Sequence, residues 1–252
     1  MLKENTIHLG DCLDLMPSIP SKSVDMILCD LPYGTTACEW DSIIDMTRLW
    51  QEYERVIKDN GAIVLTANSH FVFTLHASNP KIYRYNWIWI KSKAANFLQA
   101  QKAPLRKHEF VLVFYKKMPS YNPQKYIAEA YNKGKRKASQ TDAFSAFNPT
   151  IVKSDGERFP TDIIYFPTAE SEGIEYLLHP TQKPIALFEY LIRTYTNEGE
   201  LVLDNCSGSG TTAIACMNTN RQFICIERDE TYHRKSIERL ANHEPLLHMG
   251  DK

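Results

Sequence analysis

The stretch that most constrains this chain runs from Leu201 to Glu227. Leu201-Val-Leu-Asp204 is a short apolar strand ending in an acid, and Asn205-Cys-Ser207-Gly208-Ser209-Gly210 is a glycine-bearing turn. Gly210 to Asn218 reads as a helix, and Gln222 to Ile226 is a second strand closed by Glu227. Glycines in a strand-to-helix turn let the backbone approach a ligand closely, and an acid ending the next strand can accept from ribose hydroxyls. Glu227 stands 17 residues after Gly210, and Ala213 replaces the third glycine of the dinucleotide fingerprint, a tolerated variant. The pattern predicts a nucleoside-cofactor half-site. Taken alone it does not separate a dinucleotide from S-adenosylmethionine, and a plain tight turn is the bland alternative.

Apolar runs elsewhere extend the pattern. Val24 to Cys29 reads as a buried strand, Thr47 to Lys58 as a helix with Leu49, Trp50, Tyr53, Val56 and Ile57 on one side, and Ala62 to Leu65 and Phe110 to Tyr115 as further strands. Asp59-Asn60-Gly61 is expected to end the helix, with Gly61 left-handed. Pro184 to Thr194 and Glu230 to Asn242 read as helices. The alternation predicts an α/β fold, a doubly wound, mostly parallel sheet covered on both faces. Residues 118 to about 176 break it, being rich in Pro, Asn, Lys and Ser, and read as an inserted or mobile segment with room for short elements. No apolar run reaches the roughly 18 residues of a membrane helix. The opening MLKENTIHLGD lacks the apolar core of a secretory signal, and none of the six cysteines forms a Cys-x-x-Cys pair. A reducing, cytoplasmic setting and no metal are expected.

Asp30-Leu31-Pro32-Tyr33-Gly34 follows the first long strand, where parallel folds place their chemistry. An exocyclic amine on a nucleobase is a poor nucleophile because its lone pair is delocalised into the ring. Two acceptors, one for each N–H, would localise that pair. The Asp30 carboxylate can be one. The Leu31 carbonyl can be the other, since a residue before proline is held out of the helical region. Tyr33 could stack on the base. Alternatively, Asp30 caps a turn and Tyr33 packs.

The net charge of -1 conceals a polarised chain. From Arg84 to Gln140 there are 13 Lys or Arg against Glu109 and Glu129, while the remainder carries 16 basic and 28 acidic residues. The same stretch holds ten aromatics, among them Trp87, Trp89, Phe97, Phe114 and Tyr131. Basic groups suit phosphates and aromatics suit bases, so a polyanion is the expected partner. The cluster Lys133, Lys135, Arg136 and Lys137 is the candidate phosphate contact, or else a solvated loop.

Together these motifs resemble the amino DNA methyltransferases, which methylate adenine N6 or cytosine N4. Asp30-Leu-Pro-Tyr33 resembles their Asp-Pro-Pro-Tyr, with Leu31 in place of a proline. Asp204 to Thr211 resembles their S-adenosylmethionine motif, and His179-Pro-Thr-Gln-Lys183-Pro184 matches a third. The motif order is similar to the β group, a circular permutation of a Rossmann-like S-adenosylmethionine-dependent fold. The resemblance implies a catalytic half at 1–117, a target-recognition insert at 118–175 and a cofactor half at 176–252. It gives Asp30, Leu31, Pro32 and Tyr33 to catalysis. Asp11 would meet the cofactor's adenine in the Gly10-Asp11-Cys12 segment. Thr181 and Lys183 would hold the methionine carboxylate, supported by His179. Asp204 would face the methionine amino group and Glu227 the ribose, with Ser207, Gly208, Ser209, Gly210 and Thr211 approaching by backbone. Direct transfer to adenine N6 of a base flipped from double-stranded DNA is the implied reaction. N4-cytosine transfer, an RNA or small-molecule substrate, and an inactive nucleic-acid-binding module stay open as alternatives. A homodimer and a companion restriction endonuclease are further implied partners.

Overall fold

The computed structural model describes residues 1–34, 43–68, 70–136, 139–141, 144–147, 150–171 and 181–243 of the 252. Among them β1 (Thr6–Leu9), α1 (Cys12–Leu15), β2 (Val24–Cys29), α2 (Met46–Val56), β3 (Ile57–Ala67), α3 (Phe71–Ser78), β4 (Tyr83–Ala95) and β5 (Arg106–Phe114) follow in turn. Then come the short strands β6 (Tyr126–Ile127), β7 (Tyr131–Arg136), β8 (Ser139–Thr141), β9 (Phe144–Phe147), β10 (Thr150–Ser154) and β11 (Glu157–Arg158). The chain returns with β12 (Ile163–Tyr165), α4 (Ile185–Tyr195), β13 (Leu201–Asp204), α5 (Thr211–Asn218), β14 (Gln222–Glu227) and α6 (Glu230–Ala241).

The main sheet has the order β1-β14-β13-β2-β3-β5-β4-β12. Its pairs are parallel from β1 to β3 and again between β12 and β4, while β5 is antiparallel to both neighbours. The run at Phe110 to Tyr115 therefore departs from the parallel reading. A hairpin joins β5 to β4, and a parallel pair would need a longer crossover. The inner strands are apolar on both faces, as helix-covered parallel strands must be. Ile27 and Cys29 of β2, with Ile63 and Leu65 of β3, pack with Leu49, Trp50, Tyr53 and Val56 of α2. Met26, Leu28, Ala62 and Val64 pack on the other side with Leu187 and Leu191 of α4 and Ala213 of α5. Asp45 fixes the start of α2 by accepting from the amides of Thr47 at 2.9 Å and Arg48 at 3.2 Å.

Gly61 plays a different part from the expected helix stop. Helix α2 ends at Val56 and residues 57–67 are already strand. A Cβ on Gly61 would lie 2.7 Å from the Asp25 carbonyl and 2.6 Å from Ile57 Cδ1, so the glycine is demanded by close approach of β2 and β3.

The chain divides into two compact units, residues 1–122 with 162–252, and residues 123–161. In the second, β6 pairs with β11, β7 with β10 and β8 with β9, all antiparallel. The pairings are nested, so the unit is a hairpin whose strands go out and return along one another. Lys133 Nζ sits 5.0 Å and the Arg158 guanidinium 4.6 Å from the centre of the Tyr131 ring. The stretch read as inserted or mobile, with short elements, contains short paired strands. Its polar composition gave no indication of which segments pair.

Candidate functional site

In a doubly wound sheet, ligands bind beyond the carboxyl ends of the strands where the winding reverses. From β13 the chain passes to β14 on one side, and from β2 it passes to β3 on the other, which puts the reversal between β13 and β2. A cleft of about 760 Å³ opens there. Its lining includes Gly10 to Leu13 after β1, Asp30 to Tyr33 after β2, Thr181 to Lys183 before α4, Asp204 to Ser209 after β13, Thr211, and Glu227 at the end of β14. Five segments distant in sequence therefore meet in one pocket.

Asp30 is the hub. Its Oδ1 accepts from the Tyr33 hydroxyl at 2.5 Å and from the Thr66 hydroxyl, and its Oδ2 receives Lys183 Nζ at 2.5 Å. Burial, with Asp30 and Glu109 adding to it, pushes the Tyr33 phenol well above its usual range, so Tyr33 stays a neutral donor. Its ring centre lies 4.9 Å from that of Phe71. Leu31 is buried and also lines the cleft.

Behind Asp30 lies a second layer of charge that motif reading missed. Lys183 Nζ is 3.7 Å from Glu109 Oε2, and Lys91 Nζ is 2.9 Å from Glu109 Oε1. Asp30, Lys183, Glu109 and Lys91 alternate in sign along this line. Burial alone would raise the Glu109 carboxyl, but Lys183 and Lys91 outweigh it and hold it below the usual range. For Lys183, burial opposes the charge, while Asp30 and Glu109 raise its pKa above the ordinary lysine value. One signal was present in the sequence: Glu109 is the only acid between Asp59 and Glu129, and it sits on an apolar strand.

The glycine turn is held by its acids. Asp204 Oδ1 accepts from the Cys206 amide at 3.0 Å, and Oδ2 accepts from the Thr212 hydroxyl. Burial pushes Asp204 up to about 6, against the pull of those two donors. Glu227 accepts from the Gly208 amide at 2.7 Å and the Asp229 amide at 2.8 Å. Burial raises it as well, opposed by these amides. Gly210 has φ of 76°, and a Cβ there would lie 3.1 Å from Ser236 Cβ and 3.2 Å from Ile7 Cδ1. The Ser207 hydroxyl oxygen is buried and has no hydrogen-bond partner among the described residues. Asp11 caps α1 by accepting from the Leu13 amide at 2.8 Å, and Cys12 is buried beside it.

Of the residues singled out in the sequence, Asp11, Cys12, Asp30 to Tyr33, Thr181, Lys183, Asp204, Ser207, Gly208, Ser209, Thr211 and Glu227 all line this cleft. Gly210 supports the turn from behind. Lys133 and Lys135 lie on β7 of the second unit, and Arg136 ends that strand. His179 and Lys137 lie outside the described residues, as does Cys38. The other five cysteines carry free thiols. Among the described residues no helix is long and apolar enough to cross a membrane. No cluster of metal-ligating side chains occurs among them.

Residues 24–238 match the N6/N4 DNA methylase family, and the chain belongs to it. It is 28% identical over 246 residues to the DNA adenine methyltransferase YhdJ of Escherichia coli (strain K12), covering 93% of this chain and 82% of that one. Two solved structures share the fold. One is an M1.HpyAVI-SAM complex, with a TM-score of 0.65 and 23% identity, covering 93% of this chain and 98% of the other. The second is the cytosine-N4-specific PvuII DNA methyltransferase, with a TM-score of 0.68 and 18% identity, covering 97% and 89% respectively.

Proposed function

We propose that this chain transfers a methyl group from S-adenosylmethionine to the N6 amine of adenine in double-stranded DNA. The observation that carries the reading is the Asp30 carboxylate, held by three donors at the rim of a cleft large enough for a nucleoside. A carboxylate offers about four lone-pair positions. Tyr33, Thr66 and Lys183 fill three, which leaves one to accept an amine N–H. The Leu31 carbonyl takes the second N–H. Together they localise the amine's lone pair and orient it.

The residues lining the cleft fit the donor. Ser207 presents a buried hydroxyl oxygen that has no partner among the described residues, as expected where a ligand completes the bonding. Each Glu227 oxygen takes one backbone amide and keeps capacity for a ribose hydroxyl. Asp204 would hold the amino group, and Thr181 the methionine carboxylate. Lys183 has three N–H donors and can serve that carboxylate while it keeps Asp30. Asp11 would meet the adenine. When bound, S-adenosylmethionine supplies an electrophilic methyl on a sulfonium. The amine attacks directly, so no protein nucleophile is needed, and its proton leaves to solvent. The motif order, with the catalytic loop first and the glycine turn last, is read as the permuted arrangement.

Adenine is favoured by Asp at the first position of the catalytic motif and by the likeness to YhdJ, a DNA adenine methyltransferase. The test is mass analysis of nucleosides from unmethylated plasmid DNA treated with the protein and S-adenosylmethionine. N6-methyladenine is the expected product. N4-methylcytosine alone would overturn the choice of base, and no methylated nucleoside would overturn the function.

Two further outcomes are expected. Below about pH 6, Asp204 takes up a proton in the free protein, so a ligand bearing an ammonium must displace it. Affinity for S-adenosylhomocysteine, measured by calorimetry, is expected to weaken about tenfold per pH unit below that point. Asp204→Asn should abolish this dependence. The sign for folding is consistent: the folded pKa exceeds the unfolded one, so ionised Asp204 costs stability above about pH 6, and the cost is relieved as pH falls.

The second unit is assigned to target recognition, with Lys133, Lys135, Arg136 and Lys137 on phosphates. Replacing Lys133 and Lys135 by alanine is expected to make the plot of log affinity against log salt shallower by about 2. An unchanged slope would remove them from the phosphate contact.

A further inference from the structure

The turn between β4 and β5 lies at the same edge of the sheet as the cleft. β5 runs antiparallel to β3 and β4 antiparallel to β5, so β4 ends where β2 and β3 end. Ala94, Ala95, Asn96 and Phe97 accordingly line the cleft. The turn is built by its own hydrogen bonds. Asn96 is left-handed with φ of 74°, and the Gln99 and Ala100 amides donate to the Asn96 and Phe97 carbonyls at 3.0 and 3.1 Å. The Lys102 and Ala103 amides donate to the Gln99 carbonyl at 2.8 and 2.9 Å. This scaffold holds Phe97 and Leu98 in the open, 74% and 85% exposed.

Adjacent large apolar side chains left in water mark a contact surface when they have a charged rim. Here the rim has a cationic surplus. Lys102, Arg106 and Lys107 are exposed, and the acids beside the turn, Glu109 and Glu170, are paired with Lys91 and Lys93. A partner that is anionic outside and apolar within fits this tip, and duplex DNA has that chemistry, with phosphates around stacked bases.

We propose that the β4–β5 turn is a wedge: Phe97 and Leu98 enter the base stack beside the target, and Lys102, Arg106 and Lys107 lie on the flanking phosphates. The inference rests on the DNA-methylation reading and adds to it the element that stabilises the gap left by the extruded base. Apolar wedges of this kind partly unstack the duplex and offset the cost of opening it.

The test uses the full-length Phe97→Ala/Leu98→Ala variant. The methylated site is first mapped by modification-sensitive sequencing of treated plasmid DNA and then placed in a short synthetic duplex. Methyl transfer is compared on the fully paired duplex and on one in which the target base faces an abasic position. The variant is expected to lose at least about tenfold on the paired duplex and under about threefold on the abasic one, where little opening work remains. Affinity for S-adenosylhomocysteine is expected to stay at the wild-type value in Leu98→Ala, since Leu98 is not part of the cleft lining. An equal loss on both duplexes, or no loss on either, would overturn the wedge, the second outcome leaving the tip to a protein partner. A wild-type protein that methylates the plasmid while the variant matches it defeats the wedge alone. A wild-type protein that methylates no DNA defeats the parent reading and the wedge with it.

Discussion

Replacing Asp30 by alanine is expected to lower methyl transfer roughly a thousandfold or more, the scale seen when a charge-positioning group is removed from a site. Affinity for S-adenosylhomocysteine is expected to change by less than about fivefold, because Lys183 then keeps Glu109 as its anion. The argument lies in the bonding around Asp30. Tyr33, Thr66 and Lys183 fix the carboxylate from one side, and no other acid stands in the Asp30–Tyr33 loop to replace it. Asp30→Asn separates charge from shape, since it keeps an acceptor oxygen but loses the ion pair with Lys183. Its activity is expected to fall between those of the wild type and the alanine variant. Transfer within about threefold of wild type in the alanine variant would remove Asp30 from the reaction.

Replacing Lys183 by methionine is expected to be the most destabilising change in the cleft. It leaves two carboxylates, Asp30 and Glu109, facing a site with only Lys91 remaining. Breaking a buried pair by removing one member costs about 3–5 kcal/mol. In a chain of this length that is a fall in melting temperature on the order of 10 °C. The pH dependence identifies the cause. In the wild type the Glu109 pKa is depressed, so its contribution to stability is present above the unfolded value and lost as pH falls through the folded one. In Lys183→Met the Glu109 carboxyl loses the first of the cations that outweigh its burial, so its pKa moves up and the penalty is relieved as pH falls. The gap between wild type and variant, measured by urea unfolding, is therefore expected to narrow as pH falls from neutral toward the ordinary carboxylate range. Adding Glu109→Gln to the variant should restore part of the loss at neutral pH. A gap independent of pH would mean that lost packing, and not charge, is responsible.

How far the site could be read in advance followed from how local its signals were. Asp30 to Tyr33 and Asp204 to Gly210 each carry their chemistry within a few residues, so the turn and the carboxylate were visible without a fold. Thr66, Glu109 and Lys91 were not, because they reach Asp30 through the pairing of β3, β4 and β5. In that register Trp89 stands opposite Glu109, and Lys91 lies two positions along. The antiparallel course of β5 puts Glu109 at the reacting edge, and apolar periodicity gives no strand direction.

The charge count needed the same correction. Lys91, Lys116 and Lys117 pair with Glu109, Glu54 and Asp59, while Trp87, Trp89 and Phe114 are core. Much of the basic, aromatic stretch therefore belongs to the sheet. What remains exposed and basic lies in the β4–β5 turn and the second unit. Gly61 taught a similar lesson: its sequence neighbours suggested a helix stop, but the constraint on it comes from Asp25 on the adjacent strand.

The nested pairing of β6 with β11, β7 with β10 and β8 with β9 has a consequence for how such a chain can diverge. Equal numbers of residues can be inserted or excised on the two sides of the β8–β9 end without sliding β6 against β11. The arm is in effect a ruler of adjustable length, and the cleft, built wholly from residues of the other unit, does not register the change. Descendants could thus acquire a longer or shorter arm while inheriting the cleft intact.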